Sequence, residues 1–176
     1  TTVKNGNIVI NNNTFNMMGF EIIGEAFNKW PLLRPHPYFN TATGYGIIVT
    51  LYWKNLYLDN NFIHDHYGNG ISVYTCHFGI NPKLSPYKNN TVEVTNNVVQ
   101  NVYAFTPQKL PSGAHDESGD GILIWGTVNG VFKNNKVYND LNITGMCGRL
   151  GIGGETFKNC KIEINQINGY NRAIHI

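Results

Sequence analysis

Charge is scarce in this chain of 176 residues: only 14% are Asp, Glu, Lys or Arg, and the formal net charge is +2. The Lys and Arg residues are scattered, so the basic footprint of a nucleic-acid-binding surface is missing. Long apolar runs are missing too, and none approaches the eighteen or more residues of a membrane span. Cysteine is sparse and odd in number. Cys76, Cys147 and Cys160 lack metal-ligand spacing, which argues against both a disulfide framework and a zinc site. No segment shows the apolar pattern i, i+3, i+4, i+7 of an amphipathic helix. What the chain has in excess is Asn, at 27 residues, and Gly, at 19. With 41% hydrophobic residues it is too apolar for disorder. Its length fits one domain, residues 1–176, with a sizeable core. Such a composition asks for many tight turns.

Internal repeats supply them. A β-rich run leads into an Asn pair and then an apolar position: IVINNNTF from Ile8, LYLDNNFI from Leu56, VEVTNNVV from Val92, VFKNNKV from Val131, and a weaker IEINQI from Ile162. A second short strand follows a Gly, as GFEI at Gly19, GIIV at Gly46, GISV at Gly70, GILI at Gly121 and GIGG at Gly151, with RAIHI at the end. Strands of about four residues alternate with period two. One such unit cannot bury its own apolar face, so units must stack, at roughly 4.8 Å per strand. Asn suits the corners because it tolerates the left-handed conformation and bonds neighbouring backbone. Stacked Asn side chains can also bond one another along the axis. The expected fold is all-β: a parallel solenoid of about five coils, with Ile71, Val73, Ile122 and Ile124 pointing inward.

The N-x-[IVF] and x-G-[IF] repeats over nearly the whole chain resemble the right-handed parallel β-helix, or pectin-lyase-like, superfamily. That superfamily includes pectate lyases, polygalacturonases, alginate epimerases and lyases, and bacteriophage tailspike depolymerases. The DPHE element of the epimerases is absent here, as are the NTD, DD and GHG elements of polygalacturonases and the pectate lyase motifs. The tailspike depolymerases are what the chain is then most similar to. This resemblance implies a homotrimer at the virion surface or otherwise outside the cell, acting on a bacterial polysaccharide. The chain opens at a strand edge and stops inside RAIHI, which reads as a piece of a longer β-helix.

Four irregular segments interrupt the repeat, near 25–43, 75–89, 104–114 and 141–147, and loops on a rigid solenoid are where binding sites are commonly built. A duplicated turn lies among them. HDHYGNGI begins at His64 and HDESGDGI at His115; five positions are identical, and Asn69 gives way to Asp120. Aligning the glycines places His64 over His115, Asp65 over Asp116, His66 over Glu117, and Asn69 over Asp120, with Arg149 beside Gly119 in the following coil. Tyr74, Trp125 and Glu155 fall in one outward column. Aromatic faces stack on sugar rings, polar edges read hydroxyls, and paired carboxylates cleave glycosidic bonds.

Asp120, Glu117, Asp116 and Glu155 are therefore the candidate catalytic acids. Trp125, Tyr74, His66, Arg149 and Asn69 are the candidate substrate contacts. Asp65 reads as a structural copy, and His64 and His115 as turn residues bonded to backbone. No metal or cofactor is expected. The expected activity is glycoside hydrolysis of a polysaccharide. A lyase using a histidine or tyrosine base with Arg149, and a non-catalytic glycan-binding or structural solenoid, are the competing readings.

Overall fold

The computed structural model describes residues 2–11, 14–23, 45–50, 54–67, 69–74, 91–103, 119–125, 127, 129–140, 148–155 and 158–176. All regular structure among them is β. Two short strands come first, β1 (Thr2–Lys4) and β2 (Asn7–Asn11). Five circuits of three strands follow. The first is β3 (Thr14–Met18), β4 (Glu21–Ile23) and β5 (Tyr45–Thr50); the second is β6 (Asn55–Asp59), β7 (Phe62–Tyr67) and β8 (Asn69–Tyr74). The third is β9 (Thr91–Thr95), β10 (Val98–Tyr103) and β11 (Ile122–Trp125). Then come β12 (Gly130–Lys133), β13 (Lys136–Tyr138) and β14 (Gly148–Glu155), and finally β15 (Lys161–Glu163), β16 (Gln166–Asn168) and β17 (Tyr170–His175).

Each circuit gives one strand to each of three sheets. Sheet A runs β1-β4-β7-β10-β13-β16, sheet B runs β15-β12-β9-β6-β3-β2, and sheet C runs β17-β14-β11-β8-β5. Circuit pairs with circuit in parallel throughout. The arrangement is compatible with a β-solenoid. No helix among the described residues is long and apolar enough to cross a membrane.

Alternation explains the core. Leu56 and Leu58, Val92 and Val94, and Phe132 from sheet B meet Ile63, Val99 and Val137 from sheet A, with Ile71, Val73, Ile122, Ile124 and Ile152 from sheet C. All of these are fully buried, as the alternation predicts for the sheet C residues. Ile71, Ile122 and Ile152 stand in one register column.

The Asn pairs form the corner between sheets B and A. The first member of each pair takes a left-handed backbone: Asn60, Asn96 and Asn134 have φ of 52°, 56° and 57°. The second member turns inward and builds a ladder. Asn97 Oδ1 accepts from both the main-chain N–H and the Nδ2 of Asn61, each at 3.0 Å. Asn135 does the same for Asn97, and Asn165 for Asn135. Each Nδ2 also donates to a carbonyl of the preceding circuit, as Asn97 does to Leu58 O at 2.9 Å. Every rung thus satisfies buried polar groups that would otherwise be costly.

The glycine repeat has a steric cause. Cβ atoms at Gly46, Gly70, Gly121 and Gly151 would lie 2.1–2.3 Å from a methyl of Ile63, Val99, Val137 and Ile167, and 2.6–2.7 Å from a carbonyl of the next circuit. Sheet A packs its β-branched column directly against this glycine column, so no side chain fits.

Two repeat assignments need correction. The run from Ile8 is not a first coil: β2 pairs antiparallel with β3, and β1 antiparallel with β4. The first coil begins instead at Phe15, which is in register with Leu56. Gly19 and Phe20 then occupy the corner that Asn60 and Asn61 occupy next, and Phe20 N–H donates to Asn61 Oδ1 at 3.1 Å. Gly19 consequently belongs to the Asn corner and not to the glycine column of sheet C. The apolar-turn-apolar pattern is the same in both places, which is why it misleads.

Candidate functional site

The three corners differ in what they admit. Between sheets B and A the connection is always two residues long, from Gly19-Phe20 to Ile164-Asn165. Between sheets A and C lie residues 24–44, 104–121 and 139–147; between sheets C and B lie 51–54, 75–90, 126–129 and 156–160. The four irregular segments at 25–43, 75–89, 104–114 and 141–147 therefore all leave or join the chain at the two edges of sheet C. They lie outside the described residues.

Sheet C is unusual on its outer side. Ile48, Ser72, Leu123, Gly153 and His175 form the column that alternates away from the core. Ile48 is 46% exposed, and His175 is exposed. Ser72 and Leu123, in the middle, are buried although they face away from the interior. This face is covered over its central circuits. One alternation step further, Thr50, Tyr74, Trp125 and Glu155 stand in register, as the sequence predicts for the last three. The backbone of Tyr74, Trp125 and Glu155 is described and their side chains are not. The same holds for His66 and Arg149, while Asp116, Glu117 and His115 lie outside the described residues.

The duplicated turn divides into a part that stacks and a part that does not. Gly70 N–H donates to Asp120 O at 2.9 Å, and Gly121 N–H to Leu150 O at 2.8 Å, so Asn69, Asp120 and Leu150 do follow one another. The residues before them do not follow that scheme. His64, Asp65 and His66 belong to β7, whose partner is β10: His64 is in register with Gln100 and His66 with Val102. The stacking of His64 on His115, Asp65 on Asp116 and His66 on Glu117 is corrected accordingly. The eight-residue match bridges two sheets in its first copy, whereas the second copy begins at His115, with residues 104–114 between it and the end of β10.

Asp120 and Asn69, expected in the groove, are both buried side chains. Asp120 has no exposed surface, and Asn69 is likewise buried. Asn69 Oδ1 accepts from the main-chain N–H of Gly119 and of Asp120, each at 3.0 Å, and its Nδ2 donates to Ser72 Oγ at 3.3 Å. Both acceptor sites of its oxygen and one N–H of its nitrogen are used inside the fold. Tyr170 comes close from β17: its Oη would lie 3.1 Å from a Cβ at Gly121. That hydroxyl is buried and has no hydrogen-bond partner among the described residues. Burial, and after it the Asp120 carboxylate, hold the Tyr170 phenol far above the ordinary tyrosine range.

Asp65 is structural, as its copy in the turn suggests. It takes a left-handed φ of 56° and accepts from Asn101 Nδ2 at 3.1 Å. His64 differs from its expected role. Its Nδ1 lies 2.9 Å from Asp65 Oδ2 and its Nε2 lies 3.4 Å from Glu21 Oε1, so both ring nitrogens face carboxylates and not backbone. Its ring stacks on Phe62 at 4.3 Å, and Lys4 Nζ sits 3.6 Å from Glu21. Sequence reasoning missed this chain because Glu21 becomes a neighbour of His64 only when the first coil starts at Phe15. Cys160, half-buried at the corner between sheets C and B, accepts from Gly130 N–H at 3.3 Å. Burial pushes its thiol up, against the opposing effect of hydrogen bonds to Gly130 and Lys158. Its bonds are those of a packing residue.

Comparison with protein-family models, curated proteins and solved structures finds no match.

Proposed function

We propose that the chain is a right-handed parallel β-helix of the pectin-lyase-like kind that binds a bacterial surface polysaccharide in a groove at the edge of sheet C, beside the Tyr74–Trp125–Glu155 column, and cleaves it by glycoside hydrolysis. The observation that carries this reading is the coincidence of two features on one sheet. All four long irregular segments border sheet C, and the Tyr74–Trp125–Glu155 column is in register between them. In this reading the two rings give a sugar platform and Glu155 supplies a carboxyl one strand spacing beyond it. Glu117 and Asp116, which precede β11 in the sequence, are the further candidate acids. Separations of about 5–5.5 Å would retain and about 6.5–9.5 Å would invert the anomeric configuration. Arg149 and His66 are the further polar contacts, and the assembly is a homotrimer at the virion surface or elsewhere outside the cell.

A second reading has a specific observation in its favour. The burial of Asp120 removes one acid from the candidate set, which favours a solenoid that binds glycan without cleaving it. Incubation with a panel of capsular polysaccharides separates the readings. New reducing ends that vanish in Glu155→Gln support hydrolysis, and unsaturated uronate absorbance supports the lyase. Binding that is lost in Trp125→Ala with no cleavage supports the binding solenoid. Absence of both binding and cleavage across the panel refutes a glycan role.

A further inference from the structure

The exchange of Asn69 for Asp120 in the repeated turn has a cause three residues further on. In the second circuit the turn reads Asn69-Gly70-Ile71-Ser72; in the third it reads Asp120-Gly121-Ile122-Leu123. Asn69 uses its amide in two directions. Its oxygen collects two main-chain N–H groups of the next circuit, from Gly119 and Asp120. Its nitrogen finds the hydroxyl of Ser72, which is itself fully buried. At Asp120 the first requirement recurs. Leu150 follows Asp120 as Asp120 follows Asn69, with the same main-chain bond from the intervening glycine. The second requirement cannot be met in the same way, since the residue at the Ser72 step is Leu123, buried and without an acceptor. An amide there would lack the hydroxyl that Ser72 offers Asn69, whereas a carboxylate accepts without needing to donate.

We infer that Asp120 is the main-chain anchor of β14, its carboxylate receiving the N–H groups of Arg149 and Leu150, and that Leu123 is what dictates Asp in place of Asn. A fully buried carboxylate requires such partners, and two convergent main-chain donors suit a charge better than an amide. Asp120 is then a positioning residue. It fixes where β14 begins, and with it the height of Arg149 and Glu155 along the axis. The anchoring rests on the repeat geometry alone and holds whatever the chain binds.

Four variants of the full chain test this by urea unfolding and amide hydrogen exchange. Asp120→Asn lowers the folding equilibrium constant roughly ten- to hundredfold, the usual cost of an unsatisfied buried donor. Adding Leu123→Ser to Asp120→Asn recovers a large part of that loss, although Leu123→Ser by itself is destabilising. Asp120→Ala removes the protection of the Arg149 and Leu150 amides, while Asp120→Asn keeps it. The inference is overturned if Asp120→Asn is as stable as the native chain, or if Leu123→Ser adds to the loss in the double variant. Unchanged Arg149 and Leu150 protection in Asp120→Ala overturns it as well. Should Asp120→Ala fail to fold, the Asn and double variants decide alone. None of these readouts needs a glycan, so native protein inactive on every polysaccharide tested would leave the anchoring result intact.

Discussion

Gly121→Ala is the most direct test of how the three sheets meet. The added Cβ would sit 2.1 Å from Val137 Cγ1 and 2.6 Å from Gly151 O, both inside any tolerable contact. Neither neighbour can retreat easily. Val137 is fully buried, and moving Gly151 shifts the register in which Ile152 packs on Ile122. Overpacking a filled core costs about 1–3 kcal/mol, and two rigid clashes place this variant at about 3 kcal/mol. For a chain of this size that is a fall in Tm of roughly 6–12 °C. Urea unfolding with an unchanged m value would read it as stability alone. Val137→Ala should couple to it: alone it empties core volume, but beside Gly121→Ala it relieves the nearer clash, so the double variant loses less than the sum. A loss below about 0.5 kcal/mol for Gly121→Ala would refute the packing argument, since scarcely perturbing substitutions fall in that range.

Two further expectations follow from single residues. The buried Tyr170 phenol keeps its proton at pH values where the unfolded chain releases it, so the folded state binds more protons above the unfolded phenol value of about 10. The stability this group contributes is complete below that pH and falls above it. Tyr170→Phe flattens that slope in alkaline urea titrations. Ile164 holds the left-handed corner position with φ 54° and is 73% exposed, where the earlier circuits place Asn60, Asn96 and Asn134. Ile164→Asn therefore stabilises the chain by about 1 kcal/mol, measurable as a higher urea midpoint, because a β-branched residue is strained there.

The core and the corners were legible because each side chain in them answers to a local rule. Period-two alternation names Ile71, Val73, Ile122 and Ile124 without knowledge of the loops, and the Asn pairs name the ladder. The first coil is not legible because the same apolar–Asn–apolar pattern serves an antiparallel hairpin at Ile8 and a parallel coil at Leu56. Phe20, which stands where other circuits carry Asn, broke the pattern at the place that mattered. The site was partly legible. The Tyr74–Trp125–Glu155 register follows from counting along the glycine column. The burial of Asp120 does not, because what covers the outer side of sheet C at Ser72 and Leu123 is not encoded in the repeat. Glu21 and His64 meet across forty-three positions, and only the correct first coil brings them together.

Why variation gathers beside sheet C is itself a physical question. At the corner between sheets B and A, each second Asn binds the circuits before and after it through main chain and side chain at once. An added residue there would break these bonds and turn the next strand over, sending Val99 or Val137 outward. Among the described residues the other two corners show no such continuous ladder, and their connecting segments range from a single residue at Gly169 to 24–44. The ladder thus holds one edge of the fold to constant length and leaves the two edges of sheet C to accept insertions. A glycine inserted between Asn96 and Asn97 should therefore cost most of the stability of the chain, on the order of 5 kcal/mol or more for a flipped strand and an opened ladder. The same insertion within 141–147 should cost under about 1 kcal/mol, since lengthening a loop adds little closure entropy. Parallel unfolding curves of the two insertion variants provide the measurement. Equal losses at the two sites would mean that the Asn ladder does not set the corner length, and that the concentration of loops beside sheet C needs another cause.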